Sequence, residues 1–259
     1  MRYRSTSFTH RGGTRKHNED ALLDASNAGV WMVADGMGGY QAGDVASQLA
    51  CDTVAQEISS AKDGPSVSDL ENALNAANAR IRRYSTEALG GQVLGSTVVA
   101  LLMRDNRYHL FWAGDSRCYR IRDGALAQLS RDHSQVTEMV EQGLLQPDEA
   151  ERHPLAHVIT RALGVDDQLR FDYRTGDLQE GDTFLLCSDG VSKQFSSVEL
   201  AGFLQGGQID DAGLAIMHSA LVRECNDNIT CIIVNIMNDC YSSDSFEYTD
   251  DETVRVRKR

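Results

Sequence analysis

The chain has 259 residues, 41% of them hydrophobic, enough to bury a sizeable core in one large mixed or β-rich domain without staples. Its formal net charge of −13 repels nucleic acid and anionic membrane surfaces, so neither is expected as a partner. No apolar run approaches the ~20 residues that span a bilayer, and none of the six cysteines forms a Cys-x-x-Cys pair; zinc ribbons and thioredoxin-like chemistry are excluded, and a reducing cytosol is the expected setting.

Only three prolines occur and no repeat or low-complexity linker breaks the chain, so residues 1–239 read as one continuous domain. Val30 to Ala34 is a short apolar run ending at Asp35-Gly36. Val45, Leu49, Thr53, Val54 and Ile58 then fall on one helical face. A second helix is expected from Asp69 to Ala88, its apolar face made by Leu70, Ala73, Leu74, Ala77, Ile81 and Tyr84, with Ser68 or Asp69 as its cap. Thr97 to Met103, Tyr108 to Ala113 and Arg117 to Ile121 are β-like, separated by turns at Asp105-Asn106 and Gly114-Asp115 and followed by the hairpin signal Asp123-Gly124. This pattern predicts an antiparallel meander. A short helix is expected from Ser134 to Gln142 and a longer one from Asp210 to Glu224. Thr183 to Ser188 reads as a strand ending at Asp189-Gly190, and Ile229 to Met237 as a strand buried on both faces. Residues 240–259 are rich in Ser and Asp and end in a basic run, the pattern of a flexible charged tail.

The carboxylates sit in a pattern that a solvated surface does not require. Val30-Trp-Met-Val-Ala-Asp35-Gly36 and Phe184-Leu-Leu-Cys-Ser-Asp189-Gly190 are each an apolar strand ending in Asp-Gly. Glu19-Asp20 opens a strand, Asp115 occupies a turn between two strands, and Asp227 immediately precedes the last one. Strand ends hold side chains rigidly, and gathered carboxylate oxygens suit hard cations such as Mg²⁺ or Mn²⁺. Without such ions the cluster would repel itself, at about 4 kcal/mol for two charges ~4 Å apart at an effective dielectric of 20. Arg15, four residues before Glu19, has the planar fork that grips a pair of phosphate oxygens. Any one Asp-Gly is equally consistent with an ordinary turn.

The ordered set Arg15-x-x-Asn18-Glu19-Asp20, Val33-Ala34-Asp35-Gly36-Met37-Gly38-Gly39, Gly95-Ser96-Thr97, Ala113-Gly114-Asp115-Ser116-Arg117, Asp132-His133-Ser134, Thr160-Arg161-Ala162-Leu163-Gly164, Cys187-Ser188-Asp189-Gly190 and Asp227-Asn228-Ile229-Thr230 resembles the metal-dependent serine/threonine protein phosphatases of the type 2C (PPM) family, in their bacterial form. The resemblance spans roughly residues 10 to 237.

It implies an α+β fold, a four-layer αββα sandwich with two central antiparallel β-sheets flanked by helices. It implies a phosphoprotein phosphatase using Mn²⁺ or Mg²⁺, with two core ions and a third, weaker one. Asp35 would be shared by both core ions. Asp189 and Asp227 would join it on one of them, and the Gly36 carbonyl would bind the other. Glu19 and Asp20 would bind directly or through water. Asp115 with Asp189 would take the third ion, and Arg15 would hold the substrate phosphate. A metal-activated water bridging the ions would attack phosphorus in line. Residues 142–167 would form a flap beside the site.

One departure concerns the proton for the leaving group. Many eukaryotic relatives carry histidine after Asp-Gly, whereas here Met37 stands there and cannot donate. His133 and His10 are the nearest motif-associated histidines. The segment around Thr9-His10-Arg11-Gly12 and Trp31 to Asp44 looks most like stand-alone cytoplasmic phosphatases that oppose a cognate bacterial serine/threonine kinase, including those controlling type VI secretion. Phosphorylated proteins are the expected substrates and a monomer the expected state. A catalytically dead binding module on the same fold, and a phosphatase for a small phosphorylated metabolite, remain as alternatives.

Overall fold

The computed structural model describes residues 2–38 and 42–237. The charged tail expected over residues 240–259 lies outside them, as does Gly39 of the Asp-Gly-Met-Gly-Gly motif.

Among the described residues, eleven strands build two antiparallel sheets. The first has the order β1 (Arg2–His10), β11 (Ile229–Met237), β10 (Thr183–Cys187), β7 (Arg117–Arg122) and β8 (Ala125–Gln128). The second runs β2 (Asp20–Ala25), β3 (Val30–Gly38), β5 (Val98–Arg104), β6 (Arg107–Ala113) and β9 (Asp172–Asp177), with β4 (Leu94–Ser96) added to the end of β3. Helices α1 (Gly43–Ser59) and α2 (Val67–Ala88) cover the second sheet. Helices α5 (Ser197–Gln205) and α6 (Ile209–Val222) cover the first. A short α3 (Gln135–Glu141) and the single-turn α4 (Asp189–Ser192) complete the set.

The period of two along each strand sorts its side chains into layers. On β5, Val99, Leu101 and Met103 enter the space between the sheets, while Val98, Ala100 and Leu102 face α1 and α2. On β11, Ile232, Val234 and Ile236 meet that central layer, and Cys231 and Ile233 face α5 and α6. Both faces of these strands are therefore buried, which is why they read as continuous apolar runs. Trp31, Phe184 and Leu186 close the centre, and Tyr3 packs edge-on to Trp31 at 5.5 Å. The expected four-layer αββα sandwich is the observed architecture.

Local chemistry accounts for most boundaries. Helix α2 begins two residues earlier than expected and is capped by Ser66 rather than Ser68 or Asp69: Asp69 is the N3 residue of a capping box, its carboxylate accepting from the Ser66 backbone N–H at 2.8 Å. Ser134 caps α3 as its position suggests. The turns Asp105-Asn106 and Asp123-Gly124 both have positive φ at their two central residues, the geometry of a two-residue hairpin matched to strand twist. No helix among the described residues is long and apolar enough to cross a membrane.

Candidate metal centre and active site

At one edge of the sandwich, ends of both sheets surround a cavity of about 710 Å³. Arg15, Glu19, Asp35, Gly36, Asp115, Asp189 and Asp227 all line it. Residues separated by more than two hundred positions thus share one opening, because β11 returns the chain alongside β1 and β10.

The second sheet supplies Asp35 and Asp20. They sit directly opposite one another in the β2–β3 register. The Asp35 backbone is fixed from both sides: its N–H donates to Thr97 Oγ1 at 3.0 Å, and its carbonyl accepts from the Thr97 N–H at 2.8 Å and Ser96 Oγ at 3.1 Å. Thr97 Oγ1 also meets Ser116 Oγ at 2.7 Å, which ties the turn carrying Asp115 to the same point. Gly36 abuts the start of α1 so closely that a Cβ would lie 1.9 Å from the Gly43 carbonyl oxygen. No other residue fits there, and the contact brings Glu19 in as well, since the Gly36 N–H donates to the Glu19 carbonyl at 2.9 Å.

The first sheet supplies Asp189 and Asp227. Strand β10 ends and α4 begins at Asp189, where Gly190 passes so near the Asn228 carbonyl that a Cβ would sit 1.9 Å from its oxygen. Asp227 accepts from Arg15 Nη2, at 2.8 Å to Oδ1 and 2.9 Å to Oδ2, while Arg15 Nε donates to the Asn226 carbonyl at 3.2 Å. Asn228 pins the Arg15 loop: its Nδ2 donates to the carbonyls of Arg11 and His17, each at 3.0 Å, and its Oδ1 accepts from the Glu19 N–H at 2.8 Å. Lys193, one helical turn after Asp189, places Nζ 2.6 Å from Asp189 Oδ2 and 3.1 Å from Asp115 Oδ2.

Electrostatics divide these groups. Asp35 is pushed well above the usual carboxylate range, first by burial and then by Asp20, Asp189, Asp115 and Asp227. Asp20 is pushed up to about 7 by burial, against hydrogen bonds from Thr230 and Ser188 that favour its charge. Asp115 is raised by burial, with Lys193 pulling the other way. For Arg15 burial opposes the charge, but Asp227 outweighs it and raises the guanidinium.

Does this set of residues suit divalent cations? Apart from His157 and Met37, the metal-ligating groups at the cavity are hard oxygens, those of Glu19, Asp35, Asp115, Asp189, Asp227 and the Gly36 carbonyl, and no thiol lines it. Asp20 Oδ1 is buried with no hydrogen-bond partner, although Oδ2 accepts from Ser188 Oγ at 2.8 Å. Asp35 has acidic neighbours and no cation paired to it among the described residues. Buried anionic oxygens left without donors are costly unless a cation compensates them. Among the described residues, no three acidic, histidine or cysteine side chains form a ready-made cage; Asp227 is turned toward Arg15 and Asp189 toward Lys193. The donor chemistry fits hard divalent ions, with Asp35 as its focus.

Several sequence expectations are sharpened here. Asp20 lies behind Asp35 rather than on the cavity wall, and lines a separate depression with Asn18, Asp44 and Asp52. His133 is buried under Trp112, with Nδ1 accepting from the Gly114 N–H at 3.2 Å and Nε2 3.2 Å from Asp172 but poorly aligned with it. His10 Nδ1 accepts from the Gly12 N–H at 3.0 Å. Both histidines are structural, and the one at the cavity is His157, in the 142–167 segment together with Ile159. Lys193 and His157 carry no sequence expectation, and Asn228 stands in a quoted motif without the loop-pinning role seen here. The i,i+4 spacing of Lys193 from Asp189 is the available signal; nothing comparable marks His157.

A family model described as Protein phosphatase 2C matches residues 9–209. The serine/threonine protein phosphatase PstP of Mycobacterium tuberculosis is 32% identical over 238 residues, covering 92% of this chain and 45% of that protein, so the chain spans about half the length of that relative. Among solved structures, PppA, a key regulatory component of T6SS in Pseudomonas aeruginosa, is 40% identical with a TM-score of 0.80, covering 91% of this chain and 98% of that one. The PstP catalytic domain in complex with 2 manganese ions is 31% identical with a TM-score of 0.82, covering 91% and 99%. The chain belongs to the protein phosphatase 2C family. Within the protein phosphatase 2C frame, its remaining motifs are scaffold. Arg117 grips Asp132 with Nε and Nη2 at 2.9 and 2.7 Å, Arg161 donates to Asp172 at 2.7 Å, and Leu163 exchanges backbone hydrogen bonds with Ser96 at 2.8 and 3.0 Å.

Proposed function

We propose that this protein phosphatase 2C member hydrolyses phosphoserine and phosphothreonine in proteins, using Mn²⁺ or Mg²⁺ held at the sheet edge. The observation that carries this reading is Asp35, rigidly placed, surrounded by acids and open to a cavity that also presents Arg15. Asp35 would be common to two ions, with Asp189 and Asp227 on one and the Gly36 carbonyl on the other. Glu19 and Asp20 act at the periphery, Asp20 through its unpartnered Oδ1. When bound, such ions supply a water acidified from 15.7 toward about 7 and offset charge on the phosphoryl oxygens.

The chain's own groups do the rest. Arg15 faces the cavity with a planar fork suited to two phosphate oxygens, and Asn228 holds its loop in place. Fixing the phosphate against the acidic edge orients it before reaction, so little ordering remains to be done in the transition state. Met37 on the cavity wall offers no proton to the departing alkoxide, and water admitted by the open cavity supplies it.

By likeness to PppA, the protein acts in the regulation of type VI secretion, and by its motif resemblance it opposes a cognate serine/threonine kinase. Phosphorylated proteins are its substrates, and it works as a monomer in the cytoplasm, where its five described cysteines, all free and buried, stay reduced.

The test is hydrolysis of a phosphothreonine peptide by the purified chain, before and after thorough chelation and after Mn²⁺ is restored. Activity should vanish with chelation and return with the ion. Turnover that survives chelation, or a strong preference for a small phosphorylated metabolite over the peptide, would overturn the reading.

A further inference from the structure

Lys193 follows the single-turn α4 and turns its side chain back toward the cavity edge. Its ammonium has three neighbours: Asp189 Oδ2 at 2.6 Å, Asp115 Oδ2 at 3.1 Å and His157 Nδ1 at 3.5 Å. An ammonium has three N–H donors and no acceptor, so this arrangement matches it group for group. Lys193 is itself exposed, but the side chain of Asp115 is only 7% exposed, so the carboxylate end of that contact is withdrawn from water and less screened than a fully exposed pair.

Asp115 and Asp189 are the pair expected, from the resemblance, to share a third and weaker metal ion. A hard divalent ion must approach such oxygens to about 2.0–2.6 Å. The ammonium already lies between them, and both bodies cannot occupy that space.

We propose that Lys193 is the resident cation of the Asp115–Asp189 pair, so that this chain holds two exchangeable metal ions and no third. Lys193 is a positioning residue: it neutralises Asp115, orients Asp189 and reaches His157 in the 142–167 segment, linking that segment to the metal edge by a covalently tethered charge. Its occupancy does not depend on metal concentration. The inference rests on the two-ion reading of Asp35, Asp189 and Asp227 given above.

Counting bound Mn²⁺ on the full chain by equilibrium dialysis with elemental analysis tests it. The wild type should saturate at two ions per chain, Lys193→Met at three, and Lys193→Met combined with Asp115→Asn at two again. Asp115→Asn alone should stay at two; it is the check that remains if Lys193→Met fails to fold. Three ions on the wild type, two on a folded Lys193→Met, or one ion lost on Asp115→Asn would each overturn the role of Lys193 while leaving the two-ion centre standing. A wild type that binds no Mn²⁺ would instead remove the centre and this inference together.

Discussion

Two segments of the chain have nearly the same local form and opposite surroundings. Val30 to Gly36 and Phe184 to Gly190 are each a buried strand that ends in Asp-Gly, and in each the glycine touches a neighbouring backbone that a Cβ would strike at 1.9 Å. Asp35 stays within its strand, crowded by acids and with no ion pair among the described residues, whereas Asp189 opens a helix and meets Lys193 at 2.6 Å. The same local grammar has thus produced one carboxylate without a paired cation and one with it. The unpaired end is where a bound cation contributes most, because there it relieves crowding that only the more distant Arg15 otherwise offsets.

Activity is the bluntest way to probe this pair. Asp35→Asn and Asp189→Asn should each lower kcat/KM on a phosphothreonine peptide by about 10³-fold or more, about 4 kcal/mol, in steady-state assays with excess Mn²⁺. If one of them left turnover near normal, the two ends would not belong to one centre.

Removing the metal separates the two ends. Asp20, opposite Asp35, has its pKa raised from 3.8 to about 7. Between those values this group holds more proton in the folded chain than in the unfolded one, so in chelator its contribution to stability should fall as pH rises from about 4 to about 7 and then level off. The loss should reach up to about 4 kcal/mol from this group, measured by urea unfolding, and Asp20→Asn should flatten the slope. A metal-free protein whose stability rises through that window would contradict the crowding assigned to the Asp35 side.

Opposite signs are expected next. In chelator, Asp35→Asn should stabilise the fold by about 2 kcal/mol, because it removes a carboxyl crowded by Asp20, Asp189, Asp115 and Asp227. Asp189→Asn should cost about 1 kcal/mol by leaving Lys193 with Asp115 alone. Thermal melts of the two variants would show the contrast, and equal shifts would erase it. The smallest effect belongs to a third Asp-Gly, Asp123-Gly124, which is a plain hairpin turn with φ of +50° and +78°. Gly124→Ala should lower stability by about 1 kcal/mol and leave activity unchanged.

How much of this was legible beforehand follows burial. The strands buried on both faces were readable as apolar runs, and β11 begins and ends at the predicted residues. Strands β1 and β9 gave no such signal: each lies at the end of its sheet, partly exposed, with charged and polar residues throughout. Helix α5 is nine residues long and buries only Leu200 and Leu204 fully, too little for a clear period. At the site, Asp35 and Asp189 could be found because a strand end and its glycine mark them, and Asp227 because it directly precedes a buried strand. The loop-pinning role of Asn228 and the place of His157 could not, because they depend on which loops the tertiary fold brings within reach.

The position of β11 bears on how the protein comes into being on the ribosome. It is the last strand described, yet it lies between β1 and β10 rather than at an edge, pairing Arg2 with Met237 and Cys187 with Cys231. Asp227 directly precedes it. Until residue 237 has emerged, the first sheet lacks its second strand, β1 has no partner, and the acidic edge lacks one of its walls. Synthesis at about 5–20 residues per second leaves the growing chain waiting for contacts of very large sequence separation, the slow kind to form. The acidic edge is therefore assembled only when the closing strand docks, so on the proposed reading the metal centre is completed by the last part of the described chain to be made.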